Sequence, residues 1–158
     1  MTLTLNQMVP DFTGKTRDGS ITLSALRGKN VVIYFYPKDS TPGCTMESKA
    51  FRDYYPEFKK ANTEIIGISR DSIQSHCKFI DNHALNFPLI SDDDEAICGL
   101  FSVLKEKSMF GKKYQGIERS TFLIDQNGIL KQAWRNVSVV GHVKTVLESV
   151  EALVADPN

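Results

Sequence analysis

The chain has 158 residues, enough for one domain with a sizeable hydrophobic core, and its 41% apolar and 24% charged residues are typical of a globular protein. Lysine plus arginine equals aspartate plus glutamate at 19 each, so the formal net charge of zero points to neither nucleic acid nor a membrane surface as a partner. No apolar stretch approaches the ~20 residues of a spanning helix and the N-terminus lacks a signal-peptide pattern, so we expect a cytoplasmic protein with a single domain over residues 1–158.

The first predicted elements lead into a buried strand. Asp18-Gly19 predicts a turn, and residues 20–23 predict a short strand or the beginning of a helix. Residues 31–36 (VVIYFY) are apolar or aromatic throughout, which is typical of a strand covered on both faces. Pro37 ends this strand, and a turn-rich loop follows it.

The loop after this strand places a cysteine at the start of a helix. Thr41 is a favourable N-cap residue, and Pro42 then occupies the first helical position, where its missing N–H costs no hydrogen bond. Cys44 falls in the first turn, where free backbone N–H groups and the positive end of the helix dipole favour a thiolate. The sequence therefore predicts a reactive thiol at Cys44.

The helix is predicted to continue to about Lys60, because apolar residues recur at four-residue steps. These residues are Met46, Ala50, Tyr54 and Phe58, with Phe51 and Tyr55 beside them. Residues 64–69 predict a second buried strand, and a helix capped by Asp71 or Ser72 is expected to follow it to about Asn82.

The second half of the chain predicts further alternation of strands and helices. Residues 87–90 read as a short strand, which Pro88 places at a sheet edge or at a strand start. A helix over 93–102, a polar glycine-bearing loop over 105–116, a hairpin around Asn127-Gly128 and a last helix over 142–155 follow. This order predicts an α/β fold, with a mixed central sheet flanked by helices.

The loop around Cys44 resembles a known active site. Pro37, Thr41 and Cys44 fit the spacing P-x-x-x-T-x-x-C, and the longer string YFYPKDSTPGCTME resembles the active-site loop of peroxiredoxins of the bacterioferritin comigratory protein or peroxiredoxin Q branch. Further matching segments extend the resemblance over most of the chain: Ile68-Ser69, Ser91-Asp92, 118–122 (ERSTF) and Ile124-Asp125. The resemblance implies a thioredoxin-like fold and an antioxidant, thiol-dependent peroxidase that reduces hydrogen peroxide and small organic hydroperoxides through a cysteine sulfenic acid.

The resemblance also implies roles for individual residues. Cys44 would attack the peroxide, Arg119 matches the arginine that contacts the reacting sulfur and peroxide, and Pro37 would shield the thiolate. Thr41 would supply a hydroxyl, and Glu47, one turn after Cys44, would orient an arginine. The alternatives are a plain N-cap for Thr41, a surface ion pair for Arg119 and a favourable acid in the first helical turn for Glu47.

Lowering the thiol pKa is not a sufficient source of rate. A shift from ~8.5 to ~6 raises the thiolate fraction about 30-fold, but the weaker nucleophilicity leaves a net gain of only ~2–3-fold. The site must therefore also align the peroxide and stabilise the charge that moves onto the leaving oxygen.

The sequence leaves open how the sulfenic acid is reduced. Many members of the branch carry a second cysteine five residues after the first, where this chain has Lys49. The other arrangement known in the branch has the resolving cysteine in the helix after the second strand, so the resemblance makes Cys77 the candidate that would form a disulfide bond with Cys44, although Cys77 also fits a core-facing set with Ile73 and Ile80. A further route is a one-cysteine mechanism, in which an external thiol reduces the sulfenic acid. Cys98 is expected to be a packing residue.

The resemblance implies thioredoxin or glutaredoxin/glutathione as the reductant, no metal or organic cofactor, and a monomer. A thiol–disulfide oxidoreductase on the same fold is a rival function, against which the absence of a C-x-x-C motif counts. A non-catalytic redox sensor or holdase is the rival from another class. The three histidines, His76, His83 and His142, are expected at helix surfaces or helix ends.

Overall fold

The computed structural model describes residues 3–155, and a seven-stranded sheet runs through them in the strand order β2-β1-β5-β4-β3-β8-β9. A separate two-stranded hairpin consists of β6 and β7. The strands are β1 (Thr13–Thr16), β2 (Gly19–Thr22), β3 (Asn30–Phe35), β4 (Thr63–Ser69), β5 (Leu89–Ser91), β6 (Leu104–Met109), β7 (Lys112–Ile117), β8 (Ser120–Ile124) and β9 (Leu130–Arg135).

Helices cover both faces of the sheet. They are a 3-10 turn (Leu23–Leu26), α1 (Pro42–Lys60), α2 (Ile73–His83), α3 (Ala96–Leu100) and α4 (His142–Ala155). Side chains of α1, α2 and α4 form a hydrophobic cluster on one face, and those of α3 and the 3-10 turn form a second cluster on the other. The central strand β3 lies between the two clusters and is buried along its whole length, which explains its unbroken run of apolar residues.

The sheet is mixed, as the sequence predicts. Strands β3, β4 and β5 are parallel, whereas β8 and β9 return antiparallel as a hairpin beside β3, and β1 pairs antiparallel with β5. Parallel neighbours require helical crossovers, which α1 and α2 provide. The predicted α/β arrangement of a mixed sheet flanked by helices is confirmed.

The first helix spans the predicted range, but its buried face is rotated from the predicted one. Phe51, Tyr55 and Phe58 face the core, whereas Met46 is largely exposed. Two polar residues, Glu47 and Ser48, are fully buried on the same side as Cys44. A site that needs a buried carboxylate therefore interrupts the apolar periodicity in the first two turns.

Three other predictions of secondary structure are wrong in part. The loop expected over 105–116 is the β6–β7 hairpin, turned by Phe110 and Gly111 at positive φ. The strand expected over 87–90 is β5, which begins at Leu89 and is interior to the sheet, so the edge alternative is wrong and the strand-start alternative is confirmed, because Pro88 directly precedes the strand. The helix expected over 93–102 is shortened to α3, because the Asp92 carboxylate accepts the backbone N–H groups of Ile97 and Cys98.

No helix in the part of the chain that the structure describes is long and apolar enough to cross a membrane.

Candidate active site

The loop from β3 to α1 places Cys44 at the third position of the helix, where it is almost completely buried. Pro37 lies half-buried just after the strand, and Thr41 has the extended backbone of an N-cap residue. The Thr41 hydroxyl does not cap the helix, because it donates to the Lys38 carbonyl at 2.8 Å. The backbone N–H groups of Gly43 and Cys44 lie in the first turn, where no intrahelical acceptor exists.

Arg119 reaches the cysteine from the β7–β8 junction. Its Nη2 donates to Cys44 Sγ at 3.4 Å, and its Nη1 donates to Glu47 Oε1 at 2.7 Å. The Glu47 side chain is 0% exposed and that of Arg119 is 16% exposed, so this is not a surface ion pair. One guanidinium therefore bridges the sulfur and a buried carboxylate on consecutive turns of α1.

Burial outweighs the ion pair in setting the pKa of Glu47, whereas the ion pair outweighs burial in setting the pKa of Arg119. Removal from water raises the pKa of Glu47 from 4.5 to about 7, although the charge and hydrogen bond of Arg119 act in the opposite direction. Burial lowers the pKa of Arg119, but the adjacent Glu47 and Cys44 outweigh it and raise that pKa overall. Within residues 3–155, the second oxygen of Glu47 has no hydrogen-bond partner. Glu47 therefore changes charge near neutral pH, whereas Arg119 stays cationic.

Gly43 has a second role besides the backbone N–H donor that its place at the helix start predicts. A Cβ atom at this position would lie 3.2 Å from Arg119 Nη2, which is tighter than an ordinary van der Waals contact. The absence of a side chain therefore leaves room for the guanidinium beside the sulfur. The signal that could have found it is a glycine in a first helical turn, where glycine otherwise weakens the helix.

A buried hydrogen-bond network ties the cysteine loop to α2. The Asp39 carboxylate accepts from Tyr36 Oη at 2.6 Å and Ser75 Oγ at 2.8 Å, and it lies 2.7 Å from His76 Nδ1. The other ring nitrogen of His76 is 3.1 Å from the Ile90 carbonyl, to which it donates because a carbonyl oxygen only accepts. The prediction that His76 lies on a helix surface is wrong, because His76 is completely buried.

The same network contains the one group of three acidic or histidine residues within 3–155 whose side chains are close enough together to bind a metal ion. Ligand atoms of Asp39, Asp71 and His76 lie within 4.8 Å of one another. These atoms already take part in hydrogen bonds, and Asp71 Oδ2 accepts from Asp39 N at 2.8 Å and Ser69 Oγ at 2.6 Å. The arrangement therefore serves to hold the loop in place.

His142 lies near the guanidinium, at the start of α4. Its Nε2 is 2.8 Å from Thr121 Oγ1, and Trp134 contacts its ring edge-on. Burial, assisted by the charge of Arg119, lowers the pKa of His142 to about 4. His142 is therefore neutral at physiological pH, and it is buried at a helix end rather than exposed on a surface.

The two remaining cysteines differ in environment. Cys77 is partly exposed on α2 and lies outside both hydrophobic clusters, so the core-facing alternative is not what the structure has. Cys98 is completely buried, and burial together with the Asp92 carboxylate raises its pKa far above the ordinary thiol range. All three cysteines are free thiols, and Cys98 packs in the hydrophobic core, as expected.

Comparison with known proteins gives consistent results. Residues 5–133 match the AhpC/TSA family. Peroxiredoxin Bcp of Bacillus subtilis is 46% identical over 152 residues, covering 96% of this chain and 97% of that protein. A structure of Xanthomonas campestris peroxiredoxin Q is 50% identical, with a TM-score of 0.87 and coverage of 90% of this chain and 91% of that one. A second structure is a trapped intermediate/ligand complex of the Xanthomonas campestris bacterioferritin comigratory protein, solved for insight into alkyl peroxide reduction. It is 49% identical, with a TM-score of 0.86 and coverage of 90% of this chain and 92% of that one.

Proposed function

We propose a reaction cycle for this chain on the premise that it belongs to the AhpC/TSA family, within the Bcp or peroxiredoxin Q branch of the peroxiredoxins. The chain has their thioredoxin-like fold and is a thiol-dependent peroxidase, which reduces peroxide at the expense of a thiol reductant. The observation that carries the proposed residue roles is the Arg119 bridge, 3.4 Å from Cys44 Sγ and 2.7 Å from Glu47 Oε1.

Cys44 is the proposed nucleophile. Its thiolate attacks one oxygen of the hydroperoxide, an S–O bond forms and the O–O bond breaks. The bonding electron pair leaves with the other oxygen, which takes up a proton and departs as water or an alcohol. Cys44 is left as a sulfenic acid, and small organic hydroperoxides as well as hydrogen peroxide are the proposed substrates.

Arg119 and the start of α1 stabilise the transferring charge. Arg119 has several N–H donors in a planar arrangement, so it can hold Glu47 with one nitrogen and face the sulfur and peroxide with the other. The N–H groups of Gly43 and Cys44 add donors to the same space. The Thr41 hydroxyl donates its only hydrogen to Lys38, so its oxygen remains free to accept the peroxide O–H.

Glu47 and Pro37 act indirectly. Glu47 is a positioning residue, because its buried carboxylate fixes the guanidinium against the sulfur. Pro37 is half-buried at the end of β3, where its ring excludes water from the thiolate without adding an N–H donor.

Cys77 is the proposed resolving cysteine. Its thiol would attack the sulfenic sulfur of Cys44, giving a disulfide and water. A disulfide needs Cα atoms within ~7 Å, and Cys44 is buried whereas Cys77 is partly exposed on another helix, so we propose that α1 and α2 loosen and release the hydrogen bonds between Asp39 and α2. Thioredoxin, or a glutaredoxin/glutathione system, would then reduce the disulfide.

Mapping the cysteines tests this step. Peroxide treatment of the wild type should give a Cys44–Cys77 disulfide in mass spectrometry, and Cys77→Ser should leave Cys44 as a sulfenic acid. Oxidised Cys44 beside a free Cys77 thiol in the wild type would instead indicate an external resolving thiol.

The remaining proposals concern the state of the protein. Cys44, Glu47 and Arg119 all come from one chain, which supports a single-domain monomer as the active form. Three free cysteines are typical of a reducing compartment, and we propose the cytoplasm.

A turnover assay tests the catalytic proposal as a whole. The reduced protein with excess dithiothreitol should consume many equivalents of hydrogen peroxide, and Cys44→Ser should consume none above background. Consumption that stops below one equivalent would overturn the peroxidase proposal and support a redox sensor.

A further inference from the structure

The β6–β7 hairpin presents exposed apolar residues to solvent. Phe110 at its turn is 98% exposed, Met109 is 55% exposed and Tyr114 is 44% exposed. Phe110 has φ of 53° and Gly111 has φ of 79°, so the turn is built with a bulky aromatic residue in the left-handed region. The hairpin is a two-stranded sheet separate from the main one. An aromatic residue held at such a tip contributes nothing to the core.

One face of the hairpin is basic as well as apolar. Side chains alternate along each strand, and the register pairs Lys107 with Tyr114 and Met109 with Lys112. This face, which we call the basic face, consists of Lys105, Lys107, Met109, Lys112 and Tyr114. It contains no acidic residue, because the hairpin's acid, Glu106, lies on the opposite face and pairs there with Lys113 at 3.5 Å.

Two of the three lysines on the basic face, Lys105 and Lys112, have charges that are not neutralised. The third, Lys107, donates from Nζ to the Ile117 carbonyl at 2.7 Å, near the base of the hairpin. Lys105 and Lys112 are exposed, and among residues 3–155 neither has an ion-pair partner. The surface of the hairpin is therefore locally positive, although the formal net charge of the whole chain is zero.

The hairpin also adjoins the Cys44 site. Strand β7 ends at Ile117, two residues before Arg119, and the Gln115 carbonyl accepts from Arg70 Nη2 at 3.1 Å. The base of the hairpin is therefore close to Arg119, and the turn with Phe110 lies at the opposite end of the two strands.

We propose that the basic face and Phe110 dock on the surface of an anionic lipid bilayer. The arrangement matches the layers of a membrane interface, in which aromatic side chains lie at headgroup level and lysines reach the phosphates. Charge complementarity selects an anionic surface, and the apolar tip adds a contact that needs no preformed pocket. The proposal departs, for this hairpin, from the sequence-based expectation of no membrane partner. The docking is peripheral and is independent of the peroxidase reaction.

Co-sedimentation with lipid vesicles tests the proposal. The reduced chain should bind vesicles of phosphatidylglycerol and phosphatidylcholine in equal amounts, bind weakly to phosphatidylcholine alone, and dissociate as salt is added. Phe110→Ser should lower the partition constant about tenfold. The double variant Lys105→Gln/Lys112→Gln should lower it about 25-fold, since each lysine contributes about fivefold.

Matched controls separate the hairpin from the rest of the surface. Lys59→Gln/Lys60→Gln removes the same charge at the far end of α1, and Val140→Ser removes another exposed apolar residue, which is 87% exposed. The far end of α1 lies roughly 28 Å from its start, beyond the screening length, so the double lysine control should bind within about twofold of the wild type. Val140 belongs to the segment between β9 and α4, outside the hairpin, so Val140→Ser should also bind within about twofold.

Three outcomes would overturn the proposal. They are failure of the wild type to bind anionic vesicles, equal binding by the wild type and the hairpin variants, and equal loss in the controls. Light scattering adds a further test. A dimer that Phe110→Ser abolishes, without vesicle binding, would show that the face covers a second copy and would likewise overturn lipid docking.

Discussion

Replacing Glu47 by glutamine should stabilise the protein while slowing its reaction. The carboxyl is completely buried, and its pKa rises from 4.5 to about 7, so the folded protein holds a proton there more tightly than the unfolded chain does. Stability from this group is therefore fully present below pH 4.5 and is lost as the pH rises through about 7. Because the pKa rises by about 2.5, the free energy of unfolding that is lost is on the order of 3 kcal/mol.

Glutamine has nearly the same shape but cannot ionise. Glu47→Gln should therefore unfold at the same urea concentration as the wild type at pH 4 and should be more stable by on the order of 3 kcal/mol above pH 7.5. The amide oxygen still accepts from Arg119, but without charge, so kcat/KM for hydrogen peroxide should fall about tenfold. Urea unfolding of both proteins, reduced, across this pH range provides the measurement.

Opposite behaviour would refute this reasoning. A wild type that is more stable than Glu47→Gln above pH 7.5 would mean that the ion pair with Arg119 outweighs the burial of the carboxylate. Unchanged peroxide kinetics would mean that the carboxylate does not position the guanidinium.

The remaining predictions concern the same site. Arg119→Lys should lower kcat/KM for hydrogen peroxide about 100-fold in stopped-flow assays, because one ammonium group cannot hold Glu47 and reach Cys44 Sγ together; a change below threefold would contradict the bridge. Gly43→Ala should lower kcat/KM about tenfold with an unchanged or higher Tm, because the methyl displaces Arg119 while alanine favours the helix; normal activity would show that the guanidinium is not displaced. Asp39→Asn should cost about 1–3 kcal/mol in urea unfolding, because it weakens three side-chain hydrogen bonds; a loss below 0.5 kcal/mol would remove this network from the stabilising contacts.

Local sequence signals predicted the part of the site that is local in the chain. The apolar strand, Pro42 at a helix start and Cys44 in the first turn lie within one short segment, so strand and capping rules were sufficient. Arg119 was different, because 75 residues separate it from Cys44 and only the family resemblance connected the two. Glu47 precedes Phe51 and Tyr55 by four and eight residues, so its spacing fits the buried face of α1, but a carboxylate at such a position is expected to be buried only when a partner such as Arg119 is known to reach it.

Features that depend on tertiary contact were not predictable. Gly43 is needed for the approach of a distant guanidinium, and although a glycine in a first helical turn is a signal, nothing local shows that Arg119 is what approaches it. His76 is buried because Asp39 lies opposite it, although a histidine between polar residues is typical of a surface helix. The β6–β7 hairpin was missed because its lysines and glycine are typical of a loop, and its basic face exists only once the two strands pair.

Peptide mass spectrometry of the reduced protein after one equivalent of hydrogen peroxide tests the central claim most directly. If the Arg119 bridge activates one thiol, oxidation should appear at Cys44, as a sulfenic acid or as its disulfide, and Cys98 should remain reduced. Oxidation at Cys98, or a Cys44 that stays a free thiol while peroxide disappears, would contradict this account.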